Sequence, residues 1–210
     1  MNAANALARL RKLGVPAFTT GDAATSLSVS IAAASQTLRR LGDAGLVRSL
    51  RRGLWTLRDS VDPLAIVESV TSPHLAYVSL QTALRLHGMI EQIPSVVYVV
   101  SLARSHRVTT TVGTYSVHRV APAFFGGFES SGPSGAKIAT PEKALLDLFY
   151  LSRGRSRIFA SLPELTLPRT FRFAHARSWI DRIPSAALRT LVTRRLDAIS
   201  RTSRRIRGLR

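Results

Sequence analysis

The chain contains no cysteine, which excludes a disulfide frame, a thiolate zinc site and a cysteine nucleophile. Acidic residues are scarce as well: 12 stand against 30 lysines and arginines, a formal net charge of +18. That balance favours a polyanionic partner. Lysine occurs only at Lys12, Lys137 and Lys143, so the excess is arginine. A GC-rich genome produces that preference as readily as chemistry does, and the total charge therefore carries more meaning than the choice of residue. No run approaches the roughly 18 apolar residues that a membrane helix needs. Arg9, Arg11 and Lys12 follow the first apolar residues, whereas a secretory signal would have them precede. A cytoplasmic protein with no membrane partner is the expectation.

Motifs that carry catalysis are also missing. The five histidines, His74, His87, His106, His118 and His175, fall neither at metal-ligand spacing nor beside a carboxylate cluster. There is no nucleophile elbow and no phosphate-binding glycine loop. Glu142 and Lys143 resemble the end of a nuclease-type Glu-x-Lys motif only loosely, because no residue separates them. No catalytic residue, metal or cofactor is expected.

What is present is enough chain for one medium domain or two small ones: 210 residues, 45% of them apolar. The charge is unevenly placed. Residues 1–58 hold nine basic and two acidic side chains, residues 59–150 six and seven, and residues 151–210 fifteen and three. A neutral centre between two basic ends implies a central task other than contact with a polyanion. Asp59, Ser60, Asp62 and Pro63 combine turn chemistry with the first acidic cluster, and mark a boundary between residues 1–58 and 59–210.

The first segment has the order of a winged helix-turn-helix. Apolar residues at Ala3, Ala6, Leu7, Leu10 and Leu13 predict a first helix ended by Gly14 and Pro16, and Ala17 to Thr19 an extended piece able to pair with a hairpin. Asp22 to Leu27 predicts a short second helix opened by Thr20 and Gly21. A third, capped by Ser28 or Ser30, runs to Leu41 before Gly42 and Gly45 stop it. Leu46 to Leu50 and Leu54 to Arg58 read as two strands joined through Arg51, Arg52 and Gly53, the expected wing. At about 100° per residue, Ile31, Ala34, Leu38 and Leu41 share the packing face of the third helix, while Ala32, Ala33, Gln36, Thr37 and Arg40 point away. Gln36 and Arg40 suit adenine and guanine edges, and Arg39 on the flank suits phosphate. The candidate DNA-contacting residues are Ser30, Ala33, Gln36, Thr37, Arg39, Arg40, Arg51 and Arg52. An ordinary solvated face is the competing reading of any one helix, and the basic hairpin beside it favours DNA.

The remainder predicts a mixed α/β region and a helical basic end, an α+β protein as a whole. Short helices are expected over Leu64 to Val70 and Ser79 to His87, a buried strand over Val96 to Val100, and a strand pair over Thr109 to Val112 and Thr114 to Val120. Ala121 to Gly135 reads as an irregular connection whose Phe124 and Phe125 reach the core. Ala139 to Tyr150 is the clearest helix, with Thr140 as N-cap, Pro141 in the first turn and Ala144, Leu145, Leu148 and Phe149 as its buried stripe. Lys143 and Asp147, spaced i, i+4, are expected to face solvent as a pair. Helices over Ala174 to Arg182 and Ala186 to Arg207 follow, broken at Pro184. The last keeps Leu188, Leu191, Val192, Leu196 and Ile199 on one side. Arg194, Arg195, Arg201, Arg204 and Arg205 lie elsewhere on it, either a second phosphate contact or a solvated face.

Tyr77 to Pro94 (YVSLQTALRLHGMIEQIP), Val96 to Val100, Gly113 to Val120, Phe124 to Gly126 and Ala139 to Tyr150 (ATPEKALLDLFY) together resemble, in order and spacing, the core of the AbiEi-type antitoxins of type IV toxin–antitoxin systems. The likeness spans roughly residues 2–150, and ATPEKALLDL is its most specific piece. It implies a bacterial protein of two domains. The winged N-terminal domain would repress its own operon at promoter inverted repeats, and residues 59–210 would counter a cognate nucleotidyltransferase toxin without a stable complex. After Tyr150 the chain departs from the family pattern. A solitary regulator without a toxin, a nuclease-like effector delivered by the winged domain, and an RNA- or membrane-binding use of the basic end are the alternatives.

Overall fold

The computed structural model describes residues 2–132, 135–152 and 165–207, the last four of these by backbone only. It is an α+β fold with one small sheet and one mixed sheet. Helices α1 (Ala3–Arg11), α2 (Thr20–Leu27) and α3 (Ile31–Asp43) come first, with strand β1 (Phe18–Thr19) between α1 and α2. Strands β2 (Arg48–Arg51) and β3 (Leu54–Thr56) form a hairpin, and β1 joins β3 to complete an antiparallel sheet in the order β1-β3-β2. The cap of α2 is Thr19, one residue before the predicted opening: its hydroxyl accepts from Asp22 N at 3.1 Å while the Asp22 carboxylate accepts from Thr19 N at 2.7 Å. Ser30 caps α3, and the left-handed Gly45 at φ 70° turns the chain out of it. Ala6, Leu10, Phe18, Ala23, Leu27, Leu38, Leu41 and Val47 make the core of this unit.

The second unit is built on β4 (Ala76–Val78), β5 (Val97–Ser101), β6 (His106–Thr110), β7 (Gly113–Arg119), β8 (Phe128–Ser131) and β9 (Ala136–Ala139). They form one sheet in the order β6-β7-β5-β4-β9-β8, with β4–β9 and β5–β7 parallel and the other pairs antiparallel. Side chains alternate across it, as the pleat requires. Tyr77 and Val100 face a helical layer of α5 (Leu80–Leu86), α6 (Pro141–Leu151), α7 (Phe173–Ile180) and α8 (Ala186–Arg207). Ala76, Val78, Val99, Tyr115 and Val117 face the other way, toward α4 (Val67–Thr71) and toward Ala17, Leu50 and Leu54 of the first unit. The boundary expected near residue 58 is thus crossed by a shared apolar cluster. Ser69 Oγ donates to Ala17 O at 2.8 Å and Thr111 N to Leu50 O at 2.9 Å across the same junction. No described helix is long and apolar enough to cross a membrane.

Three expectations are corrected. The connection expected to be irregular over Ala121–Gly135 holds regular structure among its described residues: a short 3-10 helix over Pro122–Phe124 is followed by β8, whose sequence FESS shows no apolar alternation because it is an exposed edge strand paired only with β9. Phe124 does reach the core and Phe125 packs against it. Ile31 does not pack with Ala34, Leu38 and Leu41 but is 66% exposed. Its side chain, in the first turn, points back past the helix end. Lys143 and Asp147 do not face solvent; both are 0% exposed.

Tyr115 spans the cluster on the α4 side, its hydroxyl donating to Pro63 O at 2.9 Å. Burial pushes its phenol up to about 12 from the usual 10.0. A folded-state value above the unfolded one gives stability that is complete below pH 10.0 and is lost as pH rises toward about 12. Urea unfolding midpoints for the wild type should therefore fall through that alkaline window, and Tyr115→Phe should show a shallower fall.

Candidate functional site

The outer face of α3 and the tip of the β2–β3 hairpin form the strongest candidate. Gln36, Arg39 and Arg40 are exposed along α3, Ala33 and Thr37 are half-buried, and Arg40 Nη2 leans onto Thr37 Oγ1 at 3.5 Å. Arg39 lies nearer the middle of the exposed face than Thr37 does. Ser30 is exposed too, with its hydroxyl oxygen accepting from Ala33 N at 3.2 Å. After the exposed Ile31, the first turn offers the small side chains of Ala32 and Ala33.

The hairpin is held in place by α2. Trp55 Nε1 donates to Thr20 Oγ1 at 3.1 Å and Thr20 N to Gly53 O at 3.0 Å. Gly53 sits at φ 80°, where a side chain would be strained. Arg51 and Arg52 are exposed at the tip. Arg48 is not part of this set, because its Nη1 is committed to Asp59 O at 2.7 Å. Among the described residues, Arg39, Arg40, Arg51 and Arg52 form no ion pair with a carboxylate.

The basic helix α8 divides its arginines. Arg194 and Arg201 are exposed about two helical turns apart on α8 and border a shallow depression with Arg189, Thr193 and Asp197. Arg195 turns inward instead: its guanidinium donates to Ser152 Oγ and to Phe149 O at 3.3 Å, covering the C-terminal end of α6. It is a packing cation more than a free one. The Arg204 and Arg205 side chains lie outside the described residues.

Sequence reading missed the polar centre of the second unit. Lys143 Nζ donates to Asp147 Oδ1 and, at 2.8 Å, to Tyr77 Oη; Tyr77 Oη and Ser79 Oγ donate to Asp147 Oδ2 at 3.0 and 2.7 Å. The ammonium lies 3.9 Å from the Phe124 ring centroid and 5.4 Å from those of Tyr77 and Trp179. Burial lowers the Lys143 pKa against the pull of Asp147, and raises Asp147 against Lys143, Ser79 and Tyr77. Tyr77 is pushed well above its ordinary value by burial and then by the Asp147 charge. Ser79, at the N-cap position of α5, is thus spent on Asp147 and makes no side-chain cap bond. The i, i+4 spacing of Lys143 and Asp147 is the signal for the pair. Their place on the inner face is legible only by noting that Leu146 and the stripe residues leave no polar face on α6.

Glu142 is also buried, 5% exposed, and accepts from Arg172 N at 2.7 Å with His175 Nδ1 at 3.9 Å. It borders a cleft of about 480 Å³ with His87, Thr140 and Arg172, where His87 Nε2 donates to Ala139 O at 2.7 Å. Glu142 and Lys143 therefore serve different partners, Arg172 for the one and Asp147 and Tyr77 for the other. Among the described residues, no group of three or more histidines and carboxylates is placed to hold a metal ion. No protein-family model matches the chain, and no curated protein matches it.

Removing one member of the buried pair leaves the other charge unpaired. Lys143→Met should cost about 3 to 5 kcal/mol in urea unfolding, and Lys143→Met with Asp147→Leu should recover much of that loss. A double variant as unstable as the single one would show that the pair is not the source of the cost.

Proposed function

We propose that this protein is a sequence-specific DNA-binding repressor that acts in the cytoplasm, with residues 1–58 as a winged helix-turn-helix and β2–β3 as its wing. The observation that carries the reading is the unpaired set Arg39, Arg40, Arg51 and Arg52 on one helix and one hairpin, with Gln36 between the small residues and Arg40. A single helix fits the major groove, where glutamine reads adenine and arginine reads guanine, and a basic hairpin beside it suits phosphate. Arg194 and Arg201 on α8 offer a second phosphate contact.

The AbiEi resemblance extends the reading to the second unit. Its ATPEKALLDL segment runs from the end of β9 through most of α6 and carries the buried Lys143–Asp147 pair. Residues 59–210 would be the antitoxin domain, opposing a nucleotidyltransferase toxin without a stable complex. A solitary regulator is the second reading, favoured by the unmatched segment after Tyr150.

Footprinting upstream of the protein's own gene tests the first part. Arg40→Ala or Gln36→Ala should cost about 1 to 3 kcal/mol on the protected duplex and little on random duplex. Arg51→Ala or Arg52→Ala should weaken both alike and reduce the salt slope by about one ion each. Equal losses for Arg40→Ala on both duplexes would remove it from base reading.

Co-expression with the neighbouring gene tests the second part. If that gene encodes a nucleotidyltransferase, the full chain should restore growth, and the Arg51→Ala, Arg52→Ala variant should lose repression while keeping rescue. Loss of both together would tie antitoxin action to DNA binding and contradict the division proposed.

A further inference from the structure

One residue of α3 is explained neither by packing nor by the polar reading face. Ile31 is 66% exposed, while Ala34, Leu38 and Leu41 behind it are at most 2% exposed. A lone surface isoleucine has no meaning in itself; the place of this one does. It opens α3, directly after the cap at Ser30, and the Cα–Cβ bond of a helical residue tilts toward the N-terminus. Its side chain therefore projects past the helix end instead of lying against a preceding turn.

The surroundings keep it clear. Gly21, Ala24, Thr25, Ser28 and Val29 border the open depression beside it, and Ala32 next to it is small and exposed. The leading turn of α3 thus carries aliphatic surface, and the following turns carry Gln36, Arg39 and Arg40.

We infer that Ile31 is a base-reading residue whose exposed side chain meets the 5-methyl group of a thymine in the major groove. The inference rests on the reading of α3 as the helix that enters that groove. Residues at the N-terminal end of such a helix are the ones that reach base edges. Thymine alone among the four bases presents an apolar group there, and isoleucine has no donor or acceptor for the rest. Against any other base edge it would cover a polar group without pairing it, which costs binding. As a β-branched side chain in a helix it holds one strongly preferred rotamer, so the contact comes preformed. The preferred duplex therefore carries a thymine opposite the leading turn of α3, beside the positions read by Gln36 and Arg40.

The test uses the full chain and a duplex that it selects from a randomised library. Each thymine of that duplex is replaced in turn by deoxyuridine, which lacks only the methyl group. At one position the wild type should bind about three- to fivefold more weakly, as expected for one lost buried methyl contact. Ile31→Ala should bind the thymine duplex with a similar loss and be indifferent to deoxyuridine at that position alone. Ile31→Gln, put through a fresh selection, should exchange that thymine for adenine. Circular dichroism and melting identical to wild type are expected for both variants, because the side chain is exposed. A wild type indifferent to every deoxyuridine, or an Ile31→Ala that keeps the full penalty, overturns the inference and leaves DNA binding standing. Failure to enrich any sequence overturns the DNA-binding reading and this inference with it.

Discussion

The helical layer of the second unit is arranged around one buried charge pair. Lys143 and Asp147 come from α6, Tyr77 from the sheet, Ser79 from the bend into α5, Phe124 from the 3-10 helix and Trp179 from α7. Every donor and acceptor has a place: the ammonium serves Asp147, Tyr77 and the Phe124 ring, and the carboxylate receives three hydrogen bonds. A partly satisfied network in such a site would be worse than an apolar one. The segments that supply its members are therefore restricted to one mutual arrangement. Gly127 shows how tight that arrangement is, since at φ +71° a Cβ would stand 2.8 Å from Trp179 and 2.9 Å from Lys143 Cγ. Chain geometry and charge pairing set the same position for α6 against α7.

Strand β4 carries this order to the other side of the sheet. Tyr77 points into the charged centre, while Ala76 and Val78 join the cluster containing Leu50 and Leu54. The polar centre and the foot of the basic hairpin are thus separated by the thickness of one strand. The charge pattern follows the same division: the positive side chains of α1, α3 and the hairpin are exposed in the first unit, whereas the one lysine of α6 is turned inward and neutralised.

Much of the first unit could be read from the chain because each of its elements is bounded by local chemistry. Ser30, Gly45 and Gly53 act within a turn of where they stand, and helix periodicity alone identified Ala34, Leu38 and Leu41 as buried. Ile31 fits the same periodicity yet is exposed, because a wheel has no ends and a helix does. In the second unit the failures have a common cause. β8 is polar because it lies at a sheet edge, and Lys143 and Asp147 are buried because distant residues supply their partners. A spacing of four residues describes a solvent-exposed pair and a buried pair equally well. Only Tyr77 and Ser79, some 70 residues earlier in the chain, distinguish them.

The apolar cluster that joins the hairpin to the sheet makes the two units one thermodynamic system. Leu50 and Leu54 share it with Val61, Ile66 and Val70, so opening the hairpin takes apolar surface away from the cluster that also covers one face of the sheet. A polyanion that binds Arg51 and Arg52 in their folded places lowers the population of every such opening by mass action. On the proposed reading, occupancy of the hairpin would thereby slow proteolysis of the sheet, with no change of shape to carry the message.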